Sequence, residues 1–140
     1  MSNPIPYLSF NGKCAEAMRF YERVLGGKIN GMMRMGEMPG PDQVPPEAAD
    51  LVVYADLALP DGGHIYAGDC PPGMPYQGIH GVSLAMNFDS VEEARRVFDV
   101  LSEGGQVMMA PQATFWAKEF SMFTDRFGAA WTLNGVRTDS

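Results

Sequence analysis

Two stretches decide the fold: "FNGKCAEAMRFYERVLGGKI", residues 10–29, and "FDSVEEARRVFDVLSEGGQV", residues 88–107. Ala17 aligns with Ala94, Phe20 with Val97, Tyr21 with Phe98, and the pair Gly26-Gly27 with Gly104-Gly105. Each copy follows an apolar run that ends in Phe, at Phe10 and Phe88. The chain therefore repeats itself at about half its length, a period too long for a solenoid. In the first copy Ala17, Phe20, Tyr21, Val24 and Leu25 recur at helical spacing; in the second Ala94, Val97, Phe98 and Leu101 do the same. Ser90 followed by Glu93 is a capping box at the start of the second helix. A Gly-Gly pair after each helix permits a left-handed terminal turn.

Strand patterns surround each helix. In the first half they cover about 28–35, 51–59 and 64–68, the last two joined by "PDGG". In the second half they cover about 106–110, 119–124 and 130–134, the last two joined by "DRFG". Each half thus reads strand, helix, strand, strand, strand, an α+β architecture. The proline-rich "GEMPGPDQVPPEAAD", residues 36–50, is expected to be a surface loop or lid, and "DCPPGMPYQG" a link between halves. Alternation puts Leu8, Phe10, Leu84, Met86 and Phe88 toward helices. It puts Ile5, Tyr7, Ser9, Ser83, Ala85 and Asn87 on an opposite face of mixed character, where a ligand site is sought.

Composition narrows the function classes. With 140 residues, 46% hydrophobic and 19% charged, the chain has globular proportions and one domain's length. No apolar run approaches the ~20 residues that cross a bilayer, so no membrane partner is expected. The opening "MSNPIPYLSF" lacks the pattern of a secretory leader, and a cytoplasmic location is expected. A net charge of −7 without a basic stripe argues against nucleic acid. Cys14 and Cys70 are read as two separate thiols. His64 and His80 stand apart, one beside a turn and one in the link, which does not make a metal site.

The motif "PYLSFNG...EAMRFYERVLGG" and the tandem βαβββ pattern resemble the vicinal oxygen chelate superfamily, the glyoxalase/bleomycin resistance/dioxygenase fold. "TFWAKEFSMFTDRFGAAWTLN", near the C-terminus, resembles its PhnB-like branch, whose members often carry the label 3-demethylubiquinone 3-methyltransferase domain. The resemblance implies one domain over 1–140, with modules of about 1–75 and 79–140. It further implies a cupped mixed sheet, a homodimer and a small-molecule ligand. Metal-dependent members use four strand positions, which fall here at Ile5 or Pro6, Tyr66 or Ala67, Ser83 and Thr132. None is a carboxylate, imidazole or thiolate, so no metal and no cofactor are expected. The branch's usual His-Ala pair is Tyr54-Ala55 here, and a tyrosine with a reference pKa of ~10 is a poor base near neutral pH. Asp69 matches an "SD" of the branch and is read as a ligand contact or a turn cap. The glycines lie at helix ends and hairpins, against a methyl-donor loop between a strand and a helix.

The expected ligand-binding set is Tyr7, Tyr54, Tyr66, Asp69, Ser83, Phe115, Trp116 and Phe123, suited to an aromatic or apolar molecule. Trp131, Phe120 and Phe127 are read as core. Two further readings stay open. One is a lyase, isomerase or dioxygenase with a metal on Asp56, Asp69, His64 or Glu119. The other is a structural or regulatory dimer filled by its own methionines, with Met32, Met33, Met35 and Met38 as core, interface or lining.

Overall fold

The computed structural model describes residues 3–38 and 45–138. The chain divides into two compact units, Met1–Gly78 and Ile79–Ser140. The first contains β1 (Tyr7–Phe10), α1 (Cys14–Leu25), β2 (Lys28–Arg34), β3 (Val52–Ala58) and β4 (His64–Asp69). The second repeats the order with β5 (Leu84–Phe88), α2 (Val91–Leu101), β6 (Gln106–Gln112), β7 (Ala117–Thr124) and β8 (Ala130–Arg137). The strands hydrogen-bond as two four-stranded sheets, ordered β1-β4-β3-β2 and β5-β8-β7-β6. In each the first strand runs parallel to the last, and the other pairs are antiparallel.

The repeated glycines have a shared geometric cause. Gly26 and Gly104 hold φ of 75° and 77°, a region open to glycine at no steric cost. Behind them, a Cβ on Gly27 would collide with the carbonyl oxygen of Ala58, and one on Gly105 with that of Thr124. Each pair thus turns the chain and then lets it pass against a neighbouring strand. The two copies differ in detail. Gly26 is itself the left-handed cap of α1, whereas α2 ends through Ser102 in right-handed geometry before Gly104 turns.

One face of each sheet packs its helix. In the first unit Leu8, Phe10, Leu57, Ile65 and Ala67 meet Ala17, Met18, Tyr21 and Val24, all buried. In the second, Trp131, Leu133 and Phe123 are buried with Val97 and Leu101. The Phe98 ring stands edge-on to Phe123 at 5.4 Å, and a Cβ on Gly135 would lie 3.1 Å from the Ala94 methyl, so α2 rides close over β8. The expected N-cap forms, with Ser90 accepting from the Glu93 N–H at 3.1 Å.

Both outer antiparallel strands are irregular. Register shifts interrupt β2 between Ile29 and Gly31 and again at Arg34, and β6 between Val107 and Gln112. Pro111 lies in the second irregularity, on an edge where its missing N–H breaks no interior ladder. Such edges discourage pairing with other chains.

Within the proline-rich segment, 39–44 lie outside the described residues. The two limbs that flank them form short 3-10 turns at Met35–Glu37 and Pro46–Ala48, where a loop without regular elements was expected. Backbone bonds Met35 N–H to Leu51 O and Gly36 N–H to Ala49 O, at 2.7 and 3.0 Å, hold the limbs together. Met33 and Met38 are exposed, so neither fills the core of its unit.

Candidate functional site

The face of the first sheet turned away from α1 carries a cluster of aromatic and polar side chains. Register places Tyr7 of β1 beside Tyr66 of β4, Tyr66 beside Asp56 of β3, and Met33 of β2 beside Tyr54. Paired residues share a face, so these five stand together with His64, two residues before Tyr66. The rings of Tyr54 and Tyr66 are 5.6 Å apart, and those of His64 and Tyr66 6.3 Å apart, both inclined. Tyr7 is 52% exposed, yet its hydroxyl donates to the Val53 carbonyl at 2.9 Å. It reaches that strand across Gly68, where a Cβ would sit 2.7 Å from the Tyr7 oxygen. The missing side chain at Gly68 is what allows the ring to lie over the sheet.

His64 and Asp56 form a pair, Nδ1 to Oδ1, at 2.8 Å. His64, expected beside the PDGG turn at the start of a strand, opens β4, and its bond to Asp56 holds it on the aromatic face. Ala58, opposite it in register, is small enough to leave the diagonal contact to Asp56 clear. Partial desolvation, then the Asp56 charge, raise the Tyr54 hydroxyl above its ordinary pKa. Desolvation also raises that of Tyr7.

The corresponding face of the second sheet is built differently. Trp116 packs edge-on against Phe120 at 5.0 Å and donates its indole N–H to Asn134 Oδ1 at 3.1 Å. Asn134 in turn donates to Asn87 at 3.0 Å. Phe120 is buried, as expected, but under Trp116 on this face and not beneath α2. Phe115, 87% exposed, stands edge-on to Trp116 at 4.8 Å. The Trp116 carbonyl accepts from Thr138 N–H at 2.7 Å, a return path that passes through Val136 at φ 60°. That is a costly conformation for a β-branched residue, held by the pairing on either side.

Two members of the expected ligand set are corrected. Phe123 is fully buried on the helix side against Phe98 and lines no open face. Asp69 is buried at the end of β4, where its carboxylate accepts from three backbone N–H groups. Gly12 and Cys14 reach Oδ1 at 2.9 and 3.0 Å, and Val52 reaches Oδ2 at 2.8 Å. Lys13, the residue in the cap position of α1, offers no side-chain cap, so Asp69 caps that helix from a distant strand. Sequence reasoning missed a second clamp of this kind. Buried Asp125 accepts from Phe127 N–H, Ala129 N–H and the Trp131 indole, the last at 2.8 Å. Its signal was the "TDRFG" turn, since an Asp two residues before a turn amide is a local acceptor.

The positions that hold a metal in chelating relatives do not fit one here. On the first sheet the open-face candidate is Tyr66, Ala67 being buried with the helix. On the second, the Ser83 and Thr132 hydroxyls bond each other at 2.8 Å. Of the alternative donors, Asp69 is occupied by backbone, and Glu119 pairs with Arg95 at 2.7 Å. Only Asp56 and His64 meet, and among the described residues no group of three or more His, Cys, Asp or Glu converges. Among the described residues no helix is long and apolar enough to cross a membrane.

The sequence model of the Glyoxalase/Bleomycin resistance protein/Dioxygenase superfamily matches residues 6–133, and the chain belongs to that superfamily. Its tandem βαβββ order and two mixed sheets are that fold. The chain is 34% identical to Protein YjdN of Escherichia coli K12 over 140 residues, which covers 94% of each. It is 42% identical to protein PA1353 from Pseudomonas aeruginosa, whose crystal structure matches with a TM-score of 0.87 over 96% of this chain and 97% of that one. The PhnB protein from Bacillus cereus, 24% identical, shares the fold with a TM-score of 0.78 over 95% and 98% of the two chains.

Proposed function

We propose that this is a dimeric small-molecule binding protein of the cytoplasm, in which residues 1–140 work as one domain without a metal. Its ligand is aromatic or apolar and rests on an open sheet face, the first unit offering Tyr7, Tyr54 and Tyr66 and the second unit offering Trp116 and Phe115 on a separate face. The observation that carries this reading is the row of three tyrosines kept on the helix-free face of the first sheet, one of them pinned by the bond to Val53. Large rigid rings with little rotamer freedom to lose suit the binding of planar molecules. The donor-poor metal positions support binding over chelate chemistry.

Calorimetric titration with a panel of planar aromatic compounds tests it, alongside sedimentation to count subunits. Micromolar binding that weakens in Tyr66→Ala is expected. A panel without a single binder sinks the reading. So does stoichiometric divalent metal in protein purified without chelators, if it restores or creates ligand binding.

A further inference from the structure

The Asp56–His64 pair has a chemical consequence that the tyrosines do not have. An ionised carboxylate only accepts hydrogen bonds, so the imidazole nitrogen facing it must carry the hydrogen. That nitrogen is Nδ1, 2.8 Å from Asp56 Oδ1. In neutral His64 the remaining nitrogen, Nε2, is therefore a fixed lone pair, directed away from Asp56 on a half-buried ring beside Tyr66. The Tyr66 ring stands beside His64, and the Tyr7 hydroxyl is already committed to Val53. An acceptor of set direction, next to inclined aromatic rings and near a negative charge, selects for a neutral donor and against an anion.

We propose that His64, oriented by Asp56, is the polar anchor of this face, and that the ligand is a planar aromatic compound bearing a neutral hydroxyl, of the phenol or naphthol class, which donates to Nε2. This rests on the small-molecule binding reading and names the ligand class for one of its two faces. Asp56 acts as a positioning residue: it sets the tautomer and touches the ligand only through His64.

The test compares three probes on the full-length protein at a pH above the histidine range: 2-naphthol, 2-methoxynaphthalene, which keeps the rings without the donor, and 2-naphthoate. Calorimetry is expected to show 2-naphthol binding about tenfold tighter than the methoxy compound, the worth of one net hydrogen bond, and 2-naphthoate weakest. His64→Phe keeps a ring and is expected to erase the tenfold preference of 2-naphthol over its ether. Asp56→Ala removes the acceptor that holds the hydrogen on Nδ1, so the neutral ring is free to carry it on Nε2 and the preference is expected to shrink. Nitrogen NMR of the unmodified protein supports the anchor if Nδ1 carries the hydrogen and the Nε2 resonance moves on adding 2-naphthol. It overturns it if the hydrogen is on Nε2, and this readout holds even where a variant fails to fold. Equal binding of 2-naphthol and its ether sinks the anchor and leaves the binding reading standing. Binding of none of the three probes sinks both.

Discussion

Removal of the Asp69 carboxylate should separate a structural clamp from a ligand contact. Asp69 holds Gly12, Cys14 and Val52 N–H groups, the last two of them buried. These bonds are charge-assisted, and α1 has no side-chain cap of its own. In Asp69→Ala, each orphaned buried amide costs about 1–3 kcal/mol, so two of them give roughly 2–6 kcal/mol before water enters the gap. With that relief, a loss of about 3 kcal/mol is expected, which shifts a urea midpoint by roughly 1.5 M for a domain of this size. Asp69→Asn keeps the shape but turns one oxygen into an NH2 that faces an N–H, so it should lose about 2 kcal/mol. Equilibrium urea unfolding followed by circular dichroism measures both. Native-state reaction of Cys14 with a thiol reagent is the second readout, because the first turn of α1 frays when its cap is gone. An Asp69→Asn variant within about 0.5 kcal/mol of the parent, with Cys14 still protected, would refute the reasoning. It would return Asp69 to the ligand-contact reading.

Three further outcomes follow from the same geometry. Burial, with the Asp69 charge adding to it, pushes the Cys14 thiol up to about 12 from an ordinary 9.0, so the folded state retains a proton that the unfolded chain releases. Stability should thus be full below about pH 9 and fall as pH rises toward 12, and the slope should shrink in Cys14→Ala. Gly68→Ala should displace the Tyr7 ring and press on the Val53 carbonyl, costing about 1–3 kcal/mol and weakening any aromatic ligand on the first sheet. Trp131→Phe keeps most of the buried ring but removes the indole donor to Asp125 Oδ2, while the Phe127 and Ala129 amides still bond Oδ1, and thermal unfolding should show a loss of about 1–3 kcal/mol.

The elements themselves were legible because each rests on local chemistry. The amphipathic spacing of α1 and α2, the Ser90 cap and the Gly-Gly turns are set by neighbours within a few residues, and the strands follow from period-two alternation. Alternation even sorted Tyr7 from Leu8 and Asn87 from Phe88 onto their faces. Phe123 entered the ligand set as an aromatic without an assigned face, because the face of that strand is settled by register with its partner. Phe123 pairs with Trp131, which faces α2, whereas Phe120 pairs with Asn134.

Function depends more heavily on what only the tertiary structure decides. The sequence by itself determined a repeated βαβββ chain, its superfamily and the absence of ligating residue types at four expected positions, since these are matters of residue identity and short-range order. It left Asp69, Asp125, Asp56 and His64 as four polar residues of open role. The folded chain gave two of the carboxylates to backbone amides and the third to an imidazole. The physical reason is that a hydrogen bond requires a partner within about 3 Å. For Asp69 and Cys14, or for Tyr7 and Val53, that partner is remote in sequence and adjacent only once the sheet has formed.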